Sequence, residues 1–405
     1  MESLTPRRLG PGFRWLLGSV VVSNTGDGIV LAAGPLLIAS MTSDPLLVAS
    51  GFFFQQLPWL LFGVLAGAYV DRLDRRRLIV AVDSLRALVI GVLALTVATG
   101  TVSVPVILGT LFLLGSAETV SDLTSQTLVV GAVPKVDLGT ANSRLQGAYV
   151  VANQLVGPPL GAALFALLRP APFAATAACY ALGAVLVSRL VLRPRERPER
   201  RSVRHEVAEG FAWLWHHPPV RTLALTIVLF NVTFGAAWGV LVLYADQRLG
   251  LSEAGYGWLM TASALGGLVA TASYGWLERR FSLADLMRIG LVIETLTHLI
   301  LALTTQAAVA LAVLFLFGAH AVVWGTTSTT VRQRAVPDDL QGRVASVSMI
   351  SSVVGLLVGI PIGGVLARHW GITAPFWFGF VGSALLVVLL WRQFSHIAHA
   401  GDAGT

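Results

Sequence analysis

One cysteine and one lysine are all that 405 residues contain of either. Cys179 lies inside an apolar run, which excludes an internal disulfide framework and a cysteine-clustered metal site. Lys135 is followed by Val136, whereas a phosphate-binding GxxxxGK[ST] loop needs Ser or Thr there. Any uphill work this chain does is therefore not driven by a P-loop of its own. Charge is scarce too: 12% of residues are charged, about half the share of a soluble domain. The sequence has no GxSxG, no HExxH and no Cys/His metal spacing, so a membrane enzyme or receptor finds little support. No metal and no cofactor is expected.

What fills the chain instead is apolar. Hydrophobic residues make up 55% and the mean hydropathy is +0.75. Runs long enough to span a bilayer, about 20 residues each, recur twelve times. They are predicted over 13–40, 45–70, 78–99, 104–130, 141–168, 172–192, 219–245, 254–277, 283–304, 307–330, 344–367 and 373–391. Their continuous apolarity fits helices, not barrel strands, which alternate over about ten residues. An all-α membrane protein results. It divides into a six-helix half over 1–192, a polar connection over 193–218, and a second six-helix half with a short tail over 219–405. No cleavable signal is expected ahead of the first span. The preference for Arg over Lys points to a GC-rich bacterial genome, and hence to the bacterial plasma (inner) membrane.

Basic residues set the orientation. Sorting the 28 Lys and Arg by loop leaves only Arg169, Arg248 and Arg368 on the side opposite the termini. The positive-inside rule then puts both termini in the cytoplasm. The net charge of +7 reads as a topology signal, and no nucleic-acid partner is expected. In the connection, Val203, Val207, Phe211 and Leu214 recur at helical spacing, with Arg204, His205, Glu206 and Glu209 opposite. They predict an amphipathic helix on the cytoplasmic membrane surface that tethers the halves.

The two halves repeat. At an offset of 203, Pro134, Gly139, Ser143, Pro158 and Gly161 match Pro337, Gly342, Ser346, Pro361 and Gly364. At 207, Asn24, Gly28 and Asp71-Arg72 match Asn231, Gly235 and Glu278-Arg279. Parallel duplication into two pseudo-symmetric halves is an arrangement of secondary transporters that rock around a central site.

Between spans two and three stands "GVLAGAYVDRLDRRR", residues 63–77. It resembles the major facilitator superfamily signature G-x-L-x-G-x-x-x-D-R-x-x-R-R, matched at Gly63, Leu65, Gly67, Asp71, Arg72, Arg75 and Arg76. Glu278-Arg279 is its degenerate second copy, with Ala270 and Tyr274 where the glycines belong. "LPWLLFGVLAG", "DSLRA" and "VPDDLQGRVAS" look like the branch of macrolide-type drug exporters and siderophore exporters. The resemblance covers nearly the whole chain and implies the twelve-helix major facilitator fold. It implies a cytoplasmic gate in which Asp71 docks on the positive N-terminus of span eleven, near Leu340 to Val344. Gly63 and Gly67 admit a close neighbouring helix. Arg72, Arg75 and Arg76 are expected to pair with Asp83 or with lipid phosphates.

Ionisable groups at bilayer depth face a cavity or a partner by default. Asp27 is central in span one, with Asn24 on the same face. Glu118, Asp122 and Gln126 form an i, i+4, i+8 stripe in span four. Asp27, Glu118 and Asp122 are the candidates for proton coupling or substrate contact. The alternative for each is a structural pair, for example with Arg144. His320 is either a second titrating group or a satisfied core histidine. Glu294 and His298 share a face of span nine, which is peripheral in this fold. Gln55, Trp59, Gln146, Asn153, Asn231, Trp238 and Trp324 are candidate cavity residues, though tryptophans also populate interfacial belts. Gly157-Pro158-Pro159 and Pro361 mark hinges or tolerated kinks. The expectation is a monomeric, proton-coupled exporter of a small amphiphilic compound, in contact with membrane lipids. The alternatives are a dedicated exporter of a siderophore or natural product, and a lipid or uptake carrier on the same scaffold.

Overall fold

A computed structural model describes residues 9–70, 73–190, 203–391 and 393–394. The described residues are overwhelmingly helical and include no strand. Without water to hydrogen-bond the backbone, a long apolar segment satisfies its own N–H and C=O groups as a helix. The helices are α1 (Gly10–Ala39), α2 (Pro45–Val70), α3 (Arg75–Ala98), α4 (Val104–Ala132), α5 (Leu138–Tyr149), α6 (Gly157–Leu167) and α7 (Ala171–Ser188), followed by α8 (Val203–His216). Then come α9 (Pro218–Trp238), α10 (Leu241–Gln247), α11 (Glu253–Arg280), α12 (Leu283–Leu303), α13 (Ala307–Ala335), α14 (Gln341–Trp370) and α15 (Ala374–Leu390). Ten passages are long and apolar enough to cross a membrane, counting α5 and α6 as one. The less apolar α11, with 28 residues, and the apolar but shorter α15, with 17, complete twelve.

The faces of these helices are inverted relative to a soluble protein. On α3, Leu85, Leu88, Val92 and Leu95 point outward and are more than half exposed, while Asp83 and Arg86 are buried with Ile79, Ile90 and Leu93. Charge inside and leucine outside is stable only where hydrocarbon is the surrounding solvent.

The chain forms two compact units. One comprises α1, α3 to α7, most of α2 and the first turns of α11. Its core joins Leu9, Phe13 and Leu16 of α1 and its entry to Ile79, Leu128, Val129, Ala141 and Val187. The other comprises the first turns of α2, α8 to α10, the rest of α11 and α12 to α15. Leu223, Met287, Leu291, Trp324, Val331, Leu386 and Phe394 form one of its cores.

The duplication is visible in the packing within each unit. A side chain on Gly28 of α1 would collide with the Asn153 carbonyl and with Gly157 Cα. A side chain on Gly235 of α9 would meet Leu356 O at 2.6 Å and Ile360 N at 3.2 Å. Asn153 and Gly157 lie 203 positions before Leu356 and Ile360, the offset already read from the sequence. Asn24 and Asn231 also repeat one bond: each side-chain amide donates to the carbonyl four residues back, Val20 or Ile227, at 2.8 Å.

The proline breaks differ between the copies. The passage carrying Pro158 and Pro159 is interrupted by a π-helical segment, Val150–Val156, whose end is closed by Gly157 N–H on Ala152 O. Adjacent prolines remove two successive N–H donors, and the wider turn takes up the slack. Its counterpart α14, with the single Pro361, runs unbroken.

The helix of the polar connection forms, but its apolar face is not left to the membrane. Val207 and Leu214 pack with Val220, Val336, Val344 and Val347, and Glu209 pairs with Arg343 at 2.8 Å. Phe211 and Trp215, stacked at 5.8 Å, remain outward. The side chains of Val203, Arg204, His205 and Glu206 lie outside the described residues.

Candidate functional site

Asp83 and Arg86 stand three residues apart on α3 and so share one face. That face meets α7, which packs closely both on α3 and on α1, and so reaches the buried side of α1. Arg86 is 2% exposed, Asp83 1% and Asp27 of α1 7%. Arg86 Nη2 donates to Asp27 Oδ1 and, at 3.0 Å, to the Tyr180 hydroxyl of α7. Tyr180 O–H in turn donates to Asp27 Oδ1 at 2.7 Å. The guanidinium carbon lies 4.0 Å from the centroid of the Tyr180 ring, within cation–π range. Arg86 Nη1 reaches Asp83 Oδ1 at 3.5 Å, and Ser23 Oγ donates to Asp83 Oδ2 at 3.3 Å. Asp27 thus has the closer bonds and Asp83 the looser ones. Arg86 Nε is buried without a hydrogen-bond partner.

This network forms one wall of a cavity of about 730 Å³ within the first unit, between α1, α3, α4 and α5. Asn24, Asp122, Asn142, Gln146 and Tyr149 line it, with Ser19, Ser23, Ser121 and Ser125 between them. If ionised together, Asp27, Asp83 and Asp122 outnumber the one guanidinium in a poorly solvated space. Such a site favours an added positive charge, whether a proton or a cationic group of a ligand.

Several expectations meet in this cavity: Asp27, Asn24, Asp122 and Gln146 all line it. Glu118 is half-buried one turn before Asp122 and is not among the lining residues. The side chain of Gln126 lies outside the described residues. Gln55 and Trp59 of α2 and Asn153 of the π-helical segment do not line the cavity. Gln55 and Asn153 serve helix crossings instead, their carbonyls pressed against Gly115 and Gly28. Asn231, Trp238, His320 and Trp324 belong to the second unit. There, Trp238 packs on Phe234 and Phe317, and His320 bonds to Glu294.

The expected partners need correction. The sequence offered Arg144 as a structural partner for the buried acids; for Asp27 it is Arg86, reinforced by Tyr180. Among the described contacts, Asp83 takes Arg86 and Ser23. Arg86 belongs to neither loop side and so is no topology anchor. Arg76 Nη1 donates to Leu190 O at 3.1 Å, just beyond the end of α7. Arg75 opens α3, and Asp74 caps that helix by accepting from Arg77 N at 3.0 Å. Among the described residues, a Cβ on Gly63 would touch only Trp59 of its own helix, at 3.7 Å. Among the described residues of this unit the close approaches fall at Gly28, Gly115, Gly157, Gly161, Gly183 and Gly257. The side-chain surroundings of Gly67, and all of Asp71 and Arg72, lie outside the described residues. In the second copy, Glu278 pairs with Arg334 at 3.8 Å at a half-exposed position, and Arg279 sits in the last turn of α11. Glu294 and His298, expected at a peripheral helix, are fully buried.

Comparison with known proteins places this architecture. The model of a family described as transmembrane secretion effectors matches residues 2–402. The chain is 28% identical to the multidrug efflux pump Tap of Mycolicibacterium fortuitum, over 92% of this chain and 93% of that protein. It is 24% identical to multidrug resistance protein 1 of Bacillus subtilis, over 94% and 96% of the two chains. Among solved structures, the nucleoside transporter NupG superposes with a TM-score of 0.74 at 12% identity, covering 96% of this chain and 99% of that one. The fold is the twelve-helix arrangement of membrane transporters.

Proposed function

We propose a drug-exporting role on the premise that this chain belongs to the transmembrane secretion effector family of the major facilitator superfamily. It is a multi-pass membrane transporter and not an enzyme. In the proposed reading it exports small amphiphilic compounds in exchange for protons, by alternating access, as a monomer in the bacterial plasma membrane. Both termini are cytoplasmic, and membrane lipids surround the exposed leucine faces. The whole-length similarity to two proteins named for multidrug efflux and resistance supports the substrate class.

The observation that carries the coupling is the cavity walled by Asp27, Asp83 and Asp122 around one buried guanidinium. A carboxylate short of countercharge accepts a proton or a cation, and the two compete for it. When the drug leaves the cavity, a proton takes its place among these acids, while Arg86 and Tyr180 hold the Asp27 carboxylate in position. Each proton moving down a membrane potential contributes about 2.3 kcal/mol per 100 mV, enough for a roughly 50-fold concentration ratio. The second-unit residues Asn231, Trp238 and Trp324 are proposed to contact substrate, and the signature from Gly63 to Arg76 to act as the cytoplasmic gate.

Proteoliposomes loaded with ethidium test this. Asp27→Asn, a neutral mimic of the protonated acid, is expected to abolish efflux driven by an imposed pH gradient and to retain downhill exchange. Gradient-driven efflux that persists at the wild-type rate in Asp27→Asn removes the coupling role from this site.

A further inference from the structure

The second unit holds a buried acid clasped by two imidazoles, and the function proposed above gives it no task. Glu294 of α12 is 0% exposed. Its Oε1 lies 3.0 Å from His298 Nε2, one turn along the same helix. Its Oε2 lies 3.3 Å from His320 Nε2, on α13. Glycines make the room for both rings. A Cβ on Gly379 of α15 would stand 2.5 to 2.7 Å from the His298 ring, and one on Gly290 would stand 2.9 Å from His320 Nδ1. Any larger residue at either position displaces an imidazole, so three helices contribute to seating the triad.

An ionised Glu294 can only accept, which sets the tautomer of both rings. Each carboxylate oxygen accepts from one Nε2–H, which leaves both Nδ1 atoms as lone pairs. Both Nδ1 atoms are buried and have no hydrogen-bond partner. With Glu294 ionised and both rings neutral the triad carries one negative charge, and one added proton makes it neutral. A buried group of charges is least costly when it sums to zero.

Among the described residues, no other charge pairs with it. Asp285 and Arg288 of α12 pair with each other at 3.4 Å, roughly 9 Å or more along the helix from Glu294. Arg332 and Arg334 of α13 lie about 18 Å or more from His320 along their helix. Helix α15 carries no titratable side chain, and α9 only Arg221 in its first turn. From α10, Tyr244 and Arg248 bond to the carbonyls of Leu301, Leu303 and Thr304. From α11, Tyr274 reaches Thr327 and Glu278 reaches Arg334. His320 is covered by Phe317, Trp324 and Phe230, of which Phe230 is the most exposed.

We propose that Glu294, His298 and His320 form a proton-binding site of the second unit that takes up one proton during transport and releases it again. The lone pair of an imidazole Nδ1 accepts the proton from solvent, and the N–H bond so formed breaks to return it. The site shares no residue with the Asp27 cavity. Its role in the cycle rests on the transporter reading; its proton uptake does not.

The test is infrared difference spectroscopy of the purified full-length protein, stepped between about pH 5 and 8, with isotopically labelled histidine and no substrate. An imidazole protonation signal is expected in the wild type. The six other histidines contribute equally to every spectrum, so a smaller or pH-shifted signal is expected in His320→Gln and His298→Gln, each of which keeps a neutral donor, and an altered pH dependence in Glu294→Gln. Spectra identical to wild type in both histidine variants overturn the proposal, because the triad is then a fixed brace. Ethidium efflux is measured in the same variants with size-exclusion profiles matched to wild type. A lost or shifted pH optimum supports the role in transport, and an unchanged optimum refutes it. Should Glu294→Gln fail to fold, the two histidine variants decide alone. Since the spectra contain no ethidium, failure of the export reading leaves the proton-binding result standing.

Discussion

Replacing Arg86 with Gln leaves two buried carboxylates and no cation. Asp83, 1% exposed, keeps only the Ser23 hydroxyl at 3.3 Å, and Asp27, 7% exposed, keeps only Tyr180. Removing one partner of a buried ion pair costs about 3–5 kcal/mol, most of it from the uncompensated charge that remains. For a unit of this size, 1 kcal/mol moves the thermal midpoint by about 2–4 °C, so Arg86→Gln should fall by roughly 6–20 °C. The network also ranks its two acids. Asp27 holds the Nη2 and hydroxyl bonds, whereas Asp83 sits 3.5 Å from Nη1. Asp83→Asn alone should therefore be nearly neutral, while Asp27→Asn costs more. In the Arg86→Gln background the order reverses in effect, and Asp83→Asn should recover part of the lost midpoint by removing a charge that nothing balances. The assay is thermal unfolding of purified protein in one detergent, at one pH, for the wild type, both single variants and the double variant. An unchanged midpoint in Arg86→Gln, or no recovery in the double variant, refutes the reasoning.

Tyr180→Phe keeps the ring under the guanidinium but removes the 2.7 Å bond to Asp27, and should cost about 1.5–3 kcal/mol by chemical denaturation. Gly28→Leu and Gly235→Leu should each abolish a monodisperse size-exclusion peak, since both force a backbone crossing apart, whereas Gly63→Ala should stay within about 0.5 kcal/mol of wild type. Arg343→Gln breaks the 2.8 Å pair with the half-exposed Glu209 and should lower stability by less than about 1 kcal/mol in the same unfolding assay.

The twelve passages were legible because length and apolarity alone decide where a chain crosses hydrocarbon. The predicted run 45–70 coincides with α2, and most other ends agree within a few residues; α7 stops at Ser188, short of its predicted end, α9 gives way to α10 inside its predicted run, and α13 runs on to Ala335. What escaped was partnership across helices. Asp27 finds Arg86 at a separation of 59 positions and Tyr180 at 153. No periodicity links residues so far apart. A signal did exist: Arg86 lies in the apolar stretch "LIVAVDSLRALVIGV", where a basic residue is too deep to serve as an anchor and must face protein. Counting it with the loop arginines hid that. Glu294 and His298 were visible as an i, i+4 pair, but His320 joins them only through the packing of α12 on α13. The glycines were half legible. Gly28 and Gly235 announced themselves through the repeat, while Gly290 and Gly379 have meaning only once the imidazoles are in place.

The repeat also shows how one scaffold came to hold two kinds of chemistry. At the 207 offset, Asn24 and Gly28 keep their identities and contacts as Asn231 and Gly235. Between and beside them, Ser23 and Asp27 correspond to Phe230 and Phe234. Positions that fix how α1 and α9 cross their neighbours are the same in both copies, because a side chain there meets backbone that cannot yield. Positions that face the interior of each unit are free of that constraint. In the first copy they carry a carboxylate and a hydroxyl that need α3 and α7 to supply Arg86 and Tyr180. In the second they carry aromatic rings, and the acid appears instead on α12 at Glu294, where α13 supplies His320 and Gly379 of α15 leaves room for His298. A charge inside a membrane helix persists only with its partners, so moving the acid from one helix to another meant moving a whole set of residues. That is why each unit's ionisable groups form a closed group rather than a scatter of single charges along the duplicated sequence.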